Sequence, residues 1–239
     1  MTDAKTAADY DKPFQVSSFP REISDTELAF LQRLHPDTPI QDLRQRLLDW
    51  YTKTMAKPWF KFRCVRDLFF LHTTVDRNLL YREALSRRSS GQWWVDIGCG
   101  FGQDTRLPVL DGWPASRMLA TDIVPHLWYG GLDLYPNPAN IQFQLVNILE
   151  LETSAAEVLN PFRQCVAVIS LNLVLHTLCK EDVTDMLSSC ASLLAPCGII
   201  LGLCVGSPEP RPWTEWAPER WFILLLASST HLPWRASSG

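Results

Sequence analysis

A glycine-rich segment near the middle of the chain carries the residues best suited to hold a small ligand. The segment reads Trp94-Val-Asp-Ile-Gly-Cys-Gly-Phe-Gly-Gln-Asp104, in which an apolar run leads into Gly98, Gly100 and Gly102. Glycine allows the backbone to turn tightly and to approach a ligand closely, because no Cβ stands in the way. The pattern predicts a buried strand, a ligand-binding turn and then a helix.

The spacing of these glycines excludes two common phosphate-binding loops. The third glycine of the dinucleotide pattern G-x-G-x-x-G would fall at Gln103, and the chain contains no Gly-Lys-Ser/Thr of a P-loop. Asp96 precedes the first glycine, and its carboxylate would repel a pyrophosphate but attract ammonium and sulfonium charges. These features indicate S-adenosylmethionine as the ligand and disfavour a nicotinamide-dependent oxidoreductase.

Side chains at the ends of later strands would complete this site. Asp122 ends the next predicted strand, 22 residues past Gly100, where an acid can accept hydrogen bonds from ribose hydroxyls. A helix cap is the alternative role for Asp122. Ile123 would then face the adenine. Asn147 could hydrogen-bond the adenine edge, with Ile148 beside it, or serve as a turn residue.

The fourth predicted strand leads into a second polar stretch, Ala167-Val-Ile-Ser-Leu-Asn-Leu-Val-Leu-His176. Ser170, Leu171 and Asn172 would line the methionine end of the cofactor pocket. His176 could contact the substrate, although a single histidine in an apolar stretch is more often structural. The seven cysteines include no C-x-x-C pair, which indicates reduced thiols and no metal site.

Apolar runs alternate with helical patterns from Gln92 onward. This alternation predicts βαβ units, a parallel Rossmann-like sheet with helices on both faces, and a ligand at the carboxyl ends of the strands. The predicted strands are 92–97, 117–122, 141–146, 165–171 and 198–205, and the predicted helices are 103–111, 125–133, 153–159 and 181–194.

The first 91 residues are expected to form a polar arm and a helical lid. Ser24-Asp-Thr-Glu27 is a capping box, and Pro39 suits the first position of a second helix. The stretch 59–86 is aromatic and again helical in period. Residues 92–205 would then form the S-adenosylmethionine-binding domain.

The composition limits the partners that the protein can have. The chain has 239 residues and a net charge of −4, which argues against nucleic acid or an anionic membrane surface as a partner. The start is polar rather than signal-like, and the longest apolar run, Trp221–Ala227, is too short to span a bilayer. We therefore expect a cytoplasmic protein.

The last part of the chain, residues 206–239, is rich in proline and tryptophan, and it is expected to hold one helix over 217–228. Its four tryptophans are Trp213, Trp216, Trp221 and Trp234.

These residues resemble a known family. Asp96-x-Gly-x-Gly-x-Gly102, Asp122 and Leu193-Leu-Ala-Pro-Cys-Gly198 are similar to motifs of the class I S-adenosylmethionine-dependent methyltransferases. A narrower resemblance, over about residues 20–205, is to the fungal carboxyl methyltransferases of meroterpenoid pathways, of the austinol and terretonin type. It depends on Gly98-Cys-Gly-Phe-Gly-Gln-Asp-Thr-Arg106, Asp111-Gly-Trp-Pro114, Asp122-Ile-Val-Pro-His-Leu-Trp128, Gly131, Leu134 and the leader string Phe62-Arg-Cys-Val-Arg-Asp-Leu-Phe-Phe-Leu71 with Tyr81.

The resemblance implies a methyltransferase that acts on the carboxyl group of an apolar, farnesylated polyketide acid. Two departures stand beside it. Asn147 occupies a position where such enzymes usually carry Asp, and the segment after Val205 is short for a helix and strands six and seven. The alternative is therefore a truncated, non-catalytic homologue that acts as a binding partner or persists as a relic. The oligomeric state stays open.

Overall fold

Six strands form one sheet at the centre of the protein. The computed structural model describes residues 22–54, 57, 65, 67–136, 141–151, 154–205 and 221–226. The strand order is β3-β2-β1-β4-β5-β6. The first five strands pair in parallel, which confirms the predicted Rossmann-like sheet. The strands are β1 (Trp93–Ile97), β2 (Met118–Asp122), β3 (Gln142–Leu145), β4 (Val166–Ser170), β5 (Leu194–Val205) and β6 (Trp221–Leu226).

Helices follow the strands in the predicted alternation, and the leader contributes three more. Instead of the short helix predicted at 153–159, the chain forms a 3-10 helix over Ser154–Phe162. None of the helices within the described ranges is both long and apolar enough to cross a lipid bilayer. The α-helices are α1 (Ala29–Leu34), α2 (Ile40–Thr54), α3 (Tyr81–Ser86), α4 (Gln103–Leu110), α5 (Pro125–Gly131) and α6 (Lys180–Leu193).

The leader departs from prediction between residues 67 and 80. Its capping box is formed, since Glu27 Oε2 accepts from the Ser24 N–H at 3.1 Å, and α2 begins directly after Pro39. The helical period of 59–86, however, does not produce one helix. In the described part, Val65 is α-helical, Leu68 adopts a φ of +60°, short 3-10 turns follow, and α-helical structure returns at α3. A left-handed residue ends a helix, because the next backbone groups no longer align with its axis.

The two faces of the sheet bury separate cores. On one face, Trp94 and Met118 pack with leader residues such as Leu43, Leu47 and Phe70 in a single apolar cluster. The other face packs against α6 and the 3-10 helix at 154–162. The leader and the sheet thus share one continuous core.

The C-terminal edge of the sheet corrects two expectations. Residues 221–226 form β6, antiparallel to β5, with Val205 opposite Trp221 and Ile200 opposite Leu226. The helix predicted over 217–228 is therefore wrong at these positions. Strands six and seven were both in doubt, and one antiparallel strand, β6, is present. Pairing occupies backbone groups of β5 that an open edge would leave exposed. Residues 206–220 and 227–239 lie outside the described residues.

The strand β5 begins four residues earlier than predicted. The Leu193–Gly198 motif contains an irregular start of the strand, where Val166 pairs with Leu194 but Val168 pairs with Ile199. Cys197 adopts a φ of +63° within this irregular stretch. The parallel ladder continues regularly after it as far as Leu201.

Candidate functional site

The glycine-rich segment forms the predicted turn between β1 and α4. Gly98, Gly100 and Gly102 have φ angles of +69°, +55° and +78°, which an L side chain rarely adopts. A Cβ at Gly98 would lie 2.4 Å from the Val174 side chain, and one at Gly102 would lie 2.3 Å from Arg106 Nη1. A Cβ at Gly100 would meet nothing within 4 Å. Gly100 is thus the position at which the loop faces open space and where a ligand can approach the backbone.

Neighbouring elements hold the rest of this loop from behind. Phe101 is buried, and its ring centroid lies 5.3 Å from that of Trp50 and 4.8 Å from that of Phe70. The backbone oxygen of Phe101 packs so closely on Gly131 that a Cβ there would lie 2.3 Å from it. The loop is therefore packed against the leader and α5, and its Gly100 side is left free.

Asp122 lies beside this open position, as the strand spacing predicted. Its Oδ2 accepts a hydrogen bond from the Gly100 N–H at 2.8 Å, and its Oδ1 accepts from the Val124 N–H at 2.8 Å. Burial raises the pKa of this carboxyl, and the N–H donors oppose that rise. The bond to the Val124 N–H shapes the turn before α5, but Val124 is the N-cap of that helix, so Asp122 does not fill the alternative capping role. Each oxygen retains a second lone pair, so hydroxyl donors can still bind.

Ile123 follows at the surface, with 66% of its side chain exposed. An isoleucine exposed to this extent beside a polar carboxylate offers a flat apolar contact to a ring. Its predicted role toward adenine stays a prediction.

Asp96 lies deeper than the sequence suggested. Its side chain is 1% exposed, and it accepts hydrogen bonds from Ser170 Oγ at 2.7 Å and from Thr105 Oγ1 at 2.5 Å. Burial, followed by the nearby charge of Asp104, raises the pKa of Asp96 to about 7. Asp96 thus joins β1, β4 and α4 beneath the loop. The structure does not bring its carboxylate to the loop surface, so its predicted attraction to a cationic ligand would act from below.

Asn147 and Ile148 are placed differently from the other predicted ligand residues. Asn147 Oδ1 accepts from the Leu149 N–H at 3.2 Å and its Nδ2 donates to Glu150 Oε1 at 2.9 Å, which is the turn role named above. Ile148 is 3% exposed and packs in the core under α6. The chain turns the Ile148 side chain inward after β3 ends, and the predicted role of this residue toward a cofactor stays a prediction.

Two polar atoms on the loop after β4 have no hydrogen-bond partner among the described residues. Asn172 is 8% exposed, and its Oδ1 accepts from the Leu203 N–H at 3.2 Å while its Nδ2 is left buried and unpartnered. The same holds for His176 Nδ1, and burial lowers the pKa of this histidine. Buried polar groups are normally satisfied, so these atoms mark a place where a ligand can supply the missing partner.

The family-specific strings have roles that the sequence reasoning left unassigned. Asp104 is buried, and it accepts from the Thr74 N–H at 2.6 Å, from the Val75 N–H at 3.0 Å and from the Thr74 hydroxyl. Asp111 accepts from Arg33 Nη2 at 2.7 Å and from the Tyr81 hydroxyl at 2.7 Å. Both aspartates bind the leader. Such long-range contacts have no signal in spacing alone.

Two recesses share Trp50, Lys53 and Asp133. One, of about 430 Å³, lies between α2 and α5, and the other, of about 510 Å³, is lined by α2 and Asp133. Neither is lined by the glycine loop. In the described part of the chain, no group of His, Cys, Asp and Glu side chains could hold a metal ion.

Comparison with known proteins identifies relatives for this chain, although no protein-family model matches it. Methyltransferase adrK of Penicillium roqueforti is 27% identical over 158 residues, which are 66% of this chain and 56% of the relative. The asnovolin E/chermesin D methyltransferase nvfJ of Aspergillus novofumigatus is 31% identical over 93 residues, 38% of this chain and 34% of the relative. The chain thus spans about half the length, or less, of the curated relatives that it matches.

Among solved structures, the carbon methyltransferase CurJ aligns with a TM-score of 0.46 and 17% identity, covering 77% of this chain and 48% of CurJ. The resemblance predicted from the glycine loop, Asp122 and the Gln-Asp-x-Arg string is confirmed by the curated relatives: this chain is similar to the fungal methyltransferases of the adrK and nvfJ type.

Proposed function

We propose that this protein binds S-adenosylmethionine at the glycine loop and transfers its methyl group to the carboxyl oxygen of an apolar acid, of the farnesylated polyketide type, in fungal secondary metabolism. The observation that carries the proposal is the open, left-handed Gly100, bonded through its N–H to Asp122 at the end of β2. The relatives support the reaction class, since their names are those of methyltransferases.

The residues around the loop fit this cofactor. Gly100 has room for a ligand, Asp122 has lone pairs for two ribose hydroxyls, and Ile123 offers an apolar surface to the adenine. The unpartnered Asn172 Nδ2 is a donor for the methionine end. When bound, the cofactor would supply an electrophilic methyl group on a sulfonium centre.

Positioning is the main contribution that these residues would make. Methyl transfer is an in-line displacement, and alignment of the reactants can be worth up to roughly 7–11 kcal/mol. A carboxylic acid with a pKa near about 4 is already ionised at neutral pH, so its oxygen needs no general base. His176 would then contact the acceptor and donate or accept a hydrogen bond without changing its charge.

A phenolic acceptor would place a different demand on the same residue. A phenol has a pKa near about 10 and would gain from a base that removes its proton. The lowered pKa of His176 keeps the imidazole neutral at pH 7, the form that can accept a proton. The names of two relatives, a methyltransferase of asnovolin E and chermesin D and the O-methyltransferase atr3 of Stereocaulon alpinum, are compatible with an oxygen acceptor on a small molecule.

Binding of S-adenosylhomocysteine, measured by isothermal titration calorimetry, tests the first half of the proposal. We expect one site per chain, and an absence of binding would overturn both the cofactor and the function.

Mass spectrometry of a reaction with S-adenosylmethionine and a farnesylated aromatic acid tests the second half of the proposal, the transfer of the methyl group. A product heavier by one methylene, lost when the carboxyl group of the acceptor is already esterified, supports carboxyl methylation. Binding without any product would favour the non-catalytic homologue.

A further inference from the structure

We propose that Arg106 is a positioning residue for the cofactor site, which holds the glycine loop in the shape that leaves Gly100 open. The inference rests on the proposed binding of S-adenosylmethionine. Arg106 is the arginine of the Gln-Asp-x-Arg string, and its role in the proposal is to hold the loop rather than to contact the cofactor.

The guanidinium of Arg106 binds the loop directly. Its Nη1 donates to the backbone oxygens of Phe101 at 3.0 Å and Gly102 at 2.9 Å. Its Nε donates to the backbone oxygen of Pro136 at 3.0 Å, on the segment that follows α5. Two consecutive carbonyl groups of the loop, both following Gly100, are therefore held by Arg106. One side chain links the loop to the segment that follows α5.

The third glycine of the motif is explained by this arginine and its neighbour. A Cβ at Gly102 would lie 2.3 Å from Arg106 Nη1 and 2.5 Å from the ring of Trp128. Atoms at that separation overlap, so any larger residue would push the guanidinium away from the loop carbonyls. Gly102 and Arg106 thus act as a matched pair, whereas Gly100 is the glycine that faces the ligand.

Aromatic rings, rather than a counter-ion, surround the charge. Arg106 is 2% exposed, and its guanidinium carbon lies 4.6 Å from the Trp128 ring centroid and 5.6 Å from that of Tyr135. No carboxylate among the described residues forms an ion pair with it. Burial lowers the pKa of Arg106 to about 10, so it remains a cation at pH 7. A planar fork that can stack on a ring and also donate to separate carbonyls is specific to arginine.

Three variants test the proposal by their affinity for S-adenosylhomocysteine. Arg106→Lys keeps the positive charge but loses the fork, and we expect its Kd to rise at least tenfold. Trp128→Phe keeps a ring under the guanidinium with a weaker attraction for the cation, and we expect a rise of about threefold to fivefold. Leu193→Ala is the control, because Leu193, the last residue of α6, is fully buried in the core on the far face of the sheet. It should lower the melting temperature and leave the Kd within twofold of the wild type.

The outcomes separate positioning from a general loss of stability. Weaker binding by folded Arg106→Lys, with normal binding by Leu193→Ala at a similar loss of melting temperature, supports the proposal. Equal losses of affinity in both variants, or unchanged affinity in Arg106→Lys, would overturn it. If Arg106→Lys does not fold, Trp128→Phe decides alone, and a Kd within twofold of the wild type refutes the role. Failure of the wild type to bind would refute the proposed function instead.

Discussion

The two sides of the glycine loop differ in what their polar side chains contact. On the leader side, Asp104 accepts three hydrogen bonds from Thr74 and Val75, and the Tyr135 hydroxyl donates to the backbone oxygen of Phe70 at 2.5 Å. On the side of the strand ends, Asn172 Nδ2 and His176 Nδ1 are buried without a partner in the described chain. Hydrogen bonds between separate segments give the leader side rigidity, although Gln103 Oε1 and Arg106 Nη2 of the Gln-Asp-x-Arg string are also buried without a partner in the described chain. The unpartnered atoms at the strand ends retain capacity for a ligand.

The same division separates the two kinds of motif. The general glycine motif and Asp122 lie on the side of the strand ends (the open side). The more specific Gln-Asp-x-Arg and Asp-Gly-x-Pro strings supply Asp104, Arg106 and Asp111 to the leader side (the clamped side). The more specific strings thus describe how a helical leader is fastened to a common binding sheet. Their side chains hold the loop and the leader in place.

Removing the carboxylate of Asp104 should have the largest effect and break the clamped side. In Asp104→Ala, the Thr74 and Val75 N–H groups would remain buried without an acceptor, and such losses around a charged group cost roughly 3 kcal/mol or more. Urea denaturation should show this decrease in the free energy of unfolding. Asp111→Ala, which breaks the partly exposed pair with Arg33 and frees the Tyr81 hydroxyl, should cost about 1 kcal/mol. Small and equal decreases in the free energy of unfolding for Asp104→Ala and Asp111→Ala would show that these hydrogen bonds do not hold the leader to the sheet.

Asp122 tests the open side by affinity. Asp122→Ala should weaken the binding of S-adenosylhomocysteine more than tenfold, because the ribose acceptor and the bond to the Gly100 N–H are lost together. Asn147→Ala should change the Kd less than threefold, since its amide is already bonded within its own turn. Calorimetric titration measures both. An unchanged affinity of Asp122→Ala would contradict the ribose assignment.

The raised pKa of Asp96, which lies beneath the loop, predicts that the stability of the fold depends on pH. Because the folded state raises this pKa to about 7, above its unfolded value, the folded protein binds more protons than the unfolded chain between about pH 4 and 7. The free energy of unfolding should therefore fall as the pH rises from 5 to 8. Buried Asp104 and Asp122, whose pKa values are also raised, add slope in the same direction.

Asp96→Asn isolates the contribution of this carboxyl group. An amide cannot ionise, so the variant should lose less stability between pH 5 and 8 than the wild type does in parallel urea titrations. Identical slopes for the two proteins would show that Asp96 does not titrate in this range.

Ile123 should show the smallest effect. Ile123→Ser removes a side chain that is 66% exposed, so the free energy of unfolding should change by no more than about 0.5 kcal/mol. The Kd for S-adenosylhomocysteine should nevertheless rise about threefold, through the loss of apolar contact with the adenine. Thermal denaturation and calorimetry check the two parts. A change in the free energy of unfolding without a change in the Kd would show that Ile123 supports the fold and does not contact the adenine.

Local patterns in the sequence predicted the sheet and the loop well. The strands at 93–97, 118–122 and 166–170 are apolar runs with turn residues at their ends, and left-handed backbone at Gly98, Gly100 and Gly102 is a preference of glycine itself. Helical period was less reliable in the leader, where Leu68 interrupts it. The helix expected over 217–228 is also wrong at Trp221–Leu226, which pairs with the edge of β5 as a strand. The strand that pairs with β6 is a separate segment of the chain, so the local sequence pattern does not reveal the pairing.

The sequence alone was enough to predict the order of strands and helices between residues 92 and 205, the glycine turn over 98–102 and the place of Asp122 at the end of β2, because each depends on a residue and its near neighbours. The packing of distant segments settled the rest: that Gly100 is the glycine beside open space, that Asp96 lies beneath the loop, that Ile148 packs in the core, and that Asp104 and Arg106 fasten the loop and the leader. Burial and the choice of hydrogen-bond partner are set by whichever chain segment packs nearby. Contacts such as that between Asp104 and Thr74, 30 residues apart, follow from packing and not from spacing.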